Sequence, residues 1–261
     1  MIDPDWQLHE GRGPYLLLVH GFLSSRAQWL LNLDALSDCC QPVTVELFGH
    51  HDSPSPGDPA CYTPDAYVAA FDRIRQALGA ERWFVLGYSL GAGLTLRYAL
   101  AYPDRVTGHL FTNSTSGLAD SERQAAFRAG AADAAQRIRD GGRAAMERIP
   151  VHPRHGRSLP EPVYSALIRD AATHDPTGIA NTISVTNPEA SMRARLPENT
   201  RPACLIWGTR ERRFQPLAEH AASHMPNLTV ARLDAGHGMN MEQAGQFNTT
   251  VAEFIDQWQK D

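Results

Sequence analysis

Short apolar runs alternate along this chain with longer amphipathic stretches. Runs at 16–19, 43–47, 83–86, 106–112, 203–207 and 229–233 have the length of strands and lie between turn-forming residues. Segments 27–36, 65–78, 90–101, 216–223 and 241–259 place apolar residues at helical spacing. Parallel strands need long crossovers, usually helices, so this alternation predicts an α/β fold with a mainly parallel sheet covered by helices.

Between residues 114 and 200 the pattern changes. Ala- and Arg-rich helical stretches are broken by Gly141-Gly142, Pro150, Pro153 and Pro160, and no run reads as a strand. Phe127, Ile138, Met146, Leu167 and Ile168 read as one-sided helix faces, which need another surface to cover them. The expected division is therefore a core of residues 1–113 and 201–261, with 114–200 packed onto it as a helical cap, or lid. Its arginines read as solvated helix faces.

A chain of 261 residues can bury one sizeable core. Its 24 basic and 29 acidic residues are mixed, with a formal charge of −5, so no basic stripe suits a phosphate backbone and no nucleic-acid partner is expected. The opening MIDPDWQLHE lacks the charged and apolar regions of a secretory signal, and no run approaches the roughly 20 apolar residues that span a bilayer. A cytoplasmic monomer or homodimer acting on a small-molecule substrate, without a membrane partner, is the expectation. Cys39 and Cys40 are adjacent among the four cysteines, a poor arrangement for ordinary disulfides or a metal site. Reduced thiols and no metal are expected.

The strongest chemical signal is the run 83–86 followed by Gly87-Tyr88-Ser89-Leu90-Gly91 and the helical stretch to Ala101. A strand entering a helix through Gly-x-Ser-x-Gly makes a sharp turn that presents the serine hydroxyl at the carboxyl edge of the sheet, making Ser89 the candidate nucleophile. A second apolar strand ends in His20-Gly21-Phe22 at the same edge. There the Phe22 amide can act with that of Leu90 as an oxyanion hole, while His20 reads as a structural hydrogen-bonding residue. The last strand candidate runs into Asp234-Ala235-Gly236-His237-Gly238, which makes His237 the candidate general base.

Glu211 lies in the loop after 203–207 and is the acid best placed to orient that imidazole, with Asp234 as the alternative. A surface ion pair with Arg210, Arg212 or Arg213 is the competing role for Glu211. Tyr88 and the loop after Phe22, beginning at Leu23, are the expected substrate contacts.

In the order oxyanion loop, Ser, acid, His, the chain resembles the α/β-hydrolase fold family over essentially its whole length. Within the family it looks most like small bacterial esterases and the menaquinone-pathway synthase branch, which share the His-Gly-Phe loop and Gly-Tyr-Ser-Leu-Gly elbow. The resemblance implies an eight-stranded sheet, a cap inserted after the sixth strand, and catalysis without a cofactor.

The chain departs from the family pattern at three places. Glu211 replaces the usual Asp. In Glu46-Leu47-Phe48-Gly49-His50-His51-Asp52-Ser53, His51 stands where the family has glycine, either accepting the turn's backbone or lining the pocket mouth. Gly93 occupies the position of an arginine that holds a substrate carboxylate in the synthase branch, which argues against that activity.

The leading expectation is cleavage of a carboxylic ester, thioester or lactone through an acyl-enzyme. The alternatives are a lyase or carbon–carbon bond hydrolase using the triad as a base unit, and a non-catalytic ligand-binding protein on the same fold.

Overall fold

The computed structural model describes residues 2–156 and 158–259; the ends of the expected core division, residues 1, 260 and 261, lie outside these. Six strands form where the apolar runs fall: β2 (Tyr15–Val19), β3 (Gln41–Val45), β4 (Trp83–Gly87), β5 (Val106–Thr112), β6 (Ala203–Gly208) and β7 (Leu228–Leu233). A seventh, β1 (Trp6–Leu8), precedes them and pairs antiparallel with β3. The sheet order is β1-β3-β2-β4-β5-β6-β7, and every pairing after the first is parallel.

The expected eight strands are thus seven among the described residues. The chain from β1 to β2 runs through Gly11, Gly13 and Pro14 rather than an apolar run, and a Cβ on Gly11 would stand 2.1 Å from the Cys40 carbonyl oxygen. With one strand fewer before it, the helical block follows the fifth strand and not the sixth.

The helices are α1 (Leu33–Ser37), α2 (Pro64–Ala77), α3 (Leu90–Ala101), α4 (Ser121–Met146), α5 (Glu161–Ala171), α6 (Pro176–Asn181), α7 (Gln215–His224), α8 (Met239–Glu242) and α9 (Ala244–Trp258). The expected helix 27–36 is instead a short 3₁₀ turn at Arg26–Trp29 followed by α1, and the expected 241–259 is divided between α8 and α9 at Gln243. One apolar layer packs Leu16, Phe84 and Leu110 against Phe247, Val251 and Phe254. The other packs Leu17, Val85 and Val43 against Phe71, Leu94 and Tyr98. Burial of each such side chain contributes about 1.5–3 kcal/mol before conformational entropy is subtracted.

Between β5 and β6 the described residues form helices and no strand. In α4, Gly142 takes φ 52° and ψ −137°, which kinks the helix just before its last turn. Ile138 and Met146 are buried with Leu23 and Ile179, whereas Leu167 of α5 joins the core cluster that includes Trp29 and Tyr88. Among the described residues no helix is long and apolar enough to cross a membrane. No disulfide joins the four cysteines.

Candidate active site

Tyr88 and Ser89 alone join β4 to α3. This sharp reversal puts Ser89 at φ 52° and ψ −113°, a backbone conformation that costs about 1–3 kcal/mol unless its surroundings enforce it. Here they do. The Ser89 N–H donates to Thr112 Oγ1 at 3.2 Å, and the Ser89 carbonyl accepts from Ser114 Oγ at 2.6 Å and from the Ala92 N–H at 3.1 Å. Both glycines of the pentapeptide are required by close packing. A Cβ on Gly87 would stand 2.2 Å from Thr95 Oγ1, and one on Gly91 would stand 2.4 Å from the Val19 carbonyl oxygen.

His237 follows β7 on the loop that leads into α8. Its Nδ1 lies 2.9 Å from Glu211 Oε2, with the two side chains 33% and 27% exposed. A third partner, Asn113, the residue after β5, is not among the residues the sequence pattern singles out. Its Nδ2 donates to the same Glu211 oxygen at 2.7 Å and to the Gly208 carbonyl at 3.1 Å, while its Oδ1 accepts from the Gly208 N–H at 3.1 Å. A polar residue at the carboxyl end of β5, the strand paired with the one that leads to Ser89, is the signal available for it.

Burial alone would raise the Glu211 carboxyl, but the hydrogen bond and charge of His237, and then the Asn113 amide, hold it below its ordinary value. Asp234 points elsewhere. It is 88% exposed and lies 3.4 Å from Arg210 Nε, and Arg210 also reaches Glu242 at 3.2 Å.

The loop after β2 passes beside Ser89. A Cβ on Gly21 would lie 3.2 Å from that of Ser89, so only glycine lets the chain approach so closely. Phe22 follows it, and the Leu90 amide, at the first residue of α3, has no carbonyl one turn earlier to receive it. Leu23 is fully buried at φ 56°, and its N–H donates to His50 Nε2 at 3.2 Å. Burial, then the neighbouring His174 and His20, push the His50 imidazole well below its ordinary value, which keeps Nε2 an acceptor; Nδ1 contacts the Phe48 carbonyl at 3.1 Å.

His20 is buried in a structural role, with Nδ1 2.7 Å from the Gly21 carbonyl and Nε2 accepting the Leu47 N–H at 3.0 Å. His51 takes the turn's left-handed backbone at φ 40° and packs toward Thr173 and Asp52.

Ser89, His237, Glu211, Phe22, Leu23, Tyr88 and Leu90 all line one cavity of about 620 Å³, a size suited to a small organic ligand. Its other walls include Phe127, Val151, His152, Leu159 and Leu167 from the block between β5 and β6. Among the described lining residues there is no lysine or arginine, and the carboxylates are Glu211 and Glu242. The Tyr88 ring meets the His237 ring edge-on at 5.2 Å, and burial, then the charges of Glu211 and Glu242, keep its phenol protonated. Among the described residues, His237 Nε2 and Ser89 Oγ make no hydrogen bond to each other, and none form a cluster of three or more metal-ligating side chains.

A strained serine between strand and helix shares its cavity with an imidazole backed by a carboxylate, and the mostly parallel sheet that carries them is the fold of a hydrolase-type enzyme. The chain belongs to the alpha/beta hydrolase fold family, whose model matches residues 14–244. The 2-succinyl-6-hydroxy-2,4-cyclohexadiene-1-carboxylate synthase of Serratia proteamaculans is 25% identical over 262 residues, spanning 95% of this chain and 96% of the relative.

Among solved structures, MenH from S. aureus matches with a TM-score of 0.85 at 19% identity, covering 98% of this chain and 99% of that one. The enol-lactonase from Burkholderia xenovorans LB400 matches with a TM-score of 0.79 at 20% identity, covering 97% and 96%. At those identities the two structures speak for the fold.

Proposed function

We propose that the chain hydrolyses a carboxylic ester or an ester-like bond, thioesters and lactones included, through Ser89, His237 and Glu211. The observation that carries this reading is the 2.9 Å contact between Glu211 Oε2 and His237 Nδ1. With Nδ1 occupied, Nε2 is left to serve Ser89, which lines the same cavity from its strained turn. Serine–histidine hydrogen bonds are often long before substrate binds and tighten in the complex.

Ser89 Oγ gives its proton to His237 Nε2 and attacks the carbonyl carbon. The oxyanion that forms accepts from the Phe22 and Leu90 amides. His237 then protonates the leaving alcohol or thiol as its bond to carbon breaks, and a water activated by the same imidazole releases the acid from Ser89. Tyr88 and Leu23 form part of the substrate wall, and residues 114–200 act as the lid above it.

A lyase or carbon–carbon bond cleavage on the same residues is the second reading, favoured by the named Serratia relative's span of 95% of the chain. Gly93 weighs against the synthase reaction. Glycine presents no side chain to a carboxylate, and a Cβ there would stand 3.0 Å from the Ala190 carbonyl oxygen and 3.1 Å from the Gly117 Cα, tighter than most Cβ contacts. The deciding experiment is rapid-quench mass spectrometry with chromogenic esters. An acyl adduct on Ser89 supports hydrolysis, and the absence of both adduct and chromophore release with every ester points to the lyase reading.

A further inference from the structure

The 3₁₀ turn that follows the oxyanion loop carries Gln28, whose side chain is fully buried. Its Oε1 accepts from the Gly21 N–H at 3.4 Å and from Ser24 Oγ at 2.9 Å. Both partners are donors at this contact. Turning the amide over would set its NH₂ against the Gly21 N–H, so the oxygen faces the loop and Nε2 faces away. Among the described residues Nε2 has no hydrogen-bond partner, although Gln28 lines the cavity that holds Ser89. A buried donor left unpaired costs about 1–3 kcal/mol, and native structures keep few of them without a reason.

We propose that Gln28 is a specificity-determining residue whose Nε2 donates to a neutral acceptor oxygen of the substrate, a few bonds from the scissile carbonyl. The proposal rests on the hydrolase reading above. Gln28 and Ser89 line the same cavity, and Gly21 links them. The same residue whose N–H meets the Gln28 amide would, given a Cβ, lie 3.2 Å from that of Ser89.

The acceptor is neutral because the carboxylates of Glu211 and Glu242 stand in the cavity walls and repel a substrate anion. The favoured class is therefore esters and lactones with an ether, hydroxyl or keto oxygen close to the reacting carbonyl.

The test compares 4-nitrophenyl methoxyacetate with 4-nitrophenyl butyrate, which differ by one oxygen in place of a methylene. The kcat/KM ratio of the two esters is measured for the unaltered protein, for Gln28→Glu, which keeps both acceptor contacts to the loop, and for Gln28→Met. Taking a ratio cancels any shared effect on the oxyanion loop, and comparing variants cancels the intrinsic reactivity of the methoxy ester.

The ratio is expected to fall by about tenfold or more in both variants, the loss of one hydrogen bond to a buried donor. An unchanged ratio in both variants overturns the assignment, and so does a 4-nitrophenyl succinate monoester turning over faster than the methoxyacetate. Binding provides a separate arm. In a Ser89→Ala background, NMR titration with methoxyacetamide and butyramide should give about tenfold tighter binding of the former, lost on adding Gln28→Glu. Failure of every ester to turn over would count against the hydrolase reading, whereas equal amide affinities would count against the role of Gln28.

Discussion

Replacing Glu211 by glutamine tests how the acid of the site works, because Asn113 changes the usual consequence. In many serine triads the amide variant presents NH₂ to the imidazole, traps the wrong tautomer and costs about 10⁴-fold in kcat. Here the position of Oε2 is 2.7 Å from an Asn113 donor. Asn113 cannot turn over, since its two amide atoms are each held at 3.1 Å by the N–H and carbonyl of Gly208. A glutamine at 211 therefore places its oxygen where Oε2 now lies, and that oxygen still accepts from His237 Nδ1.

On the proposed mechanism, what is lost is the carboxylate charge that would stabilise the imidazolium. Charges about 4 Å apart at an effective dielectric constant near 20 interact by about 4 kcal/mol. With the side chains 33% and 27% exposed, solvent screening reduces that to about 2 kcal/mol. Glu211→Gln should accordingly lower kcat/KM for a chromogenic ester by about 30-fold. Adding Asn113→Leu removes the donor that pins the amide, so the double variant should fall toward the 10⁴-fold loss of a trapped tautomer. The two substitutions then couple strongly in a double-mutant cycle. A single variant that loses 10⁴-fold, or one within threefold of the unaltered protein, refutes this account.

Ser89→Ala should remove covalent labelling by a fluorophosphonate and lower ester turnover at least about 10³-fold while leaving Tm unchanged; activity within tenfold rejects Ser89 as the nucleophile. Phe127→Ala, at a half-buried wall of the cavity, should raise KM several-fold with kcat and Tm little changed, and an unaltered KM would count against the lid.

His109 is fully buried on β5, stacked on Phe111 with no partner at either ring nitrogen among the described residues, and burial lowers it to about 3. Unfolded, it takes a proton below its ordinary 6.5; folded, it does not until about 3, so its contribution to stability falls as pH drops through that window. His109→Leu should therefore stabilise more at pH 5 than at pH 8, by about 2 kcal/mol in urea unfolding, and a gain that does not change with pH contradicts it.

How far the sequence can be read depends on whether a residue's role is local. β4, with all five residues buried, announces itself as an unbroken apolar run. β1 does not, because its three residues are half-buried or exposed, and it exists through backbone pairing with β3. The helix expected at 27–36 fails for a similar reason. Ser25 caps a 3₁₀ turn that buries Trp29, while Leu30 and Leu31 face outward, so the apolar count is high but the face is not continuous.

Ser89, His237 and Glu211 each stand in a loop or turn just beyond a strand end, and that context is visible in one dimension. Asn113 and Gln28 are not visible in the same way. Asn113 acts by bridging β5 to the end of β6, 95 residues away, and Gln28 acts by folding its side chain back seven residues onto Gly21.

The surroundings of Glu211 illustrate the limit. Three arginines lie within two positions of it, and proximity in sequence favours a surface ion pair. The parallel pairing of β6 with β7 decides otherwise, because it sets the loop after Gly208 beside the one after Leu233. Arg210 then finds Asp234 and Glu242 within 3.4 Å and 3.2 Å, and the carboxylate of Glu211 turns inward to the imidazole 26 residues further on. Ion pairing at this sheet edge is thus assigned by strand register, which no count of neighbouring charges could supply.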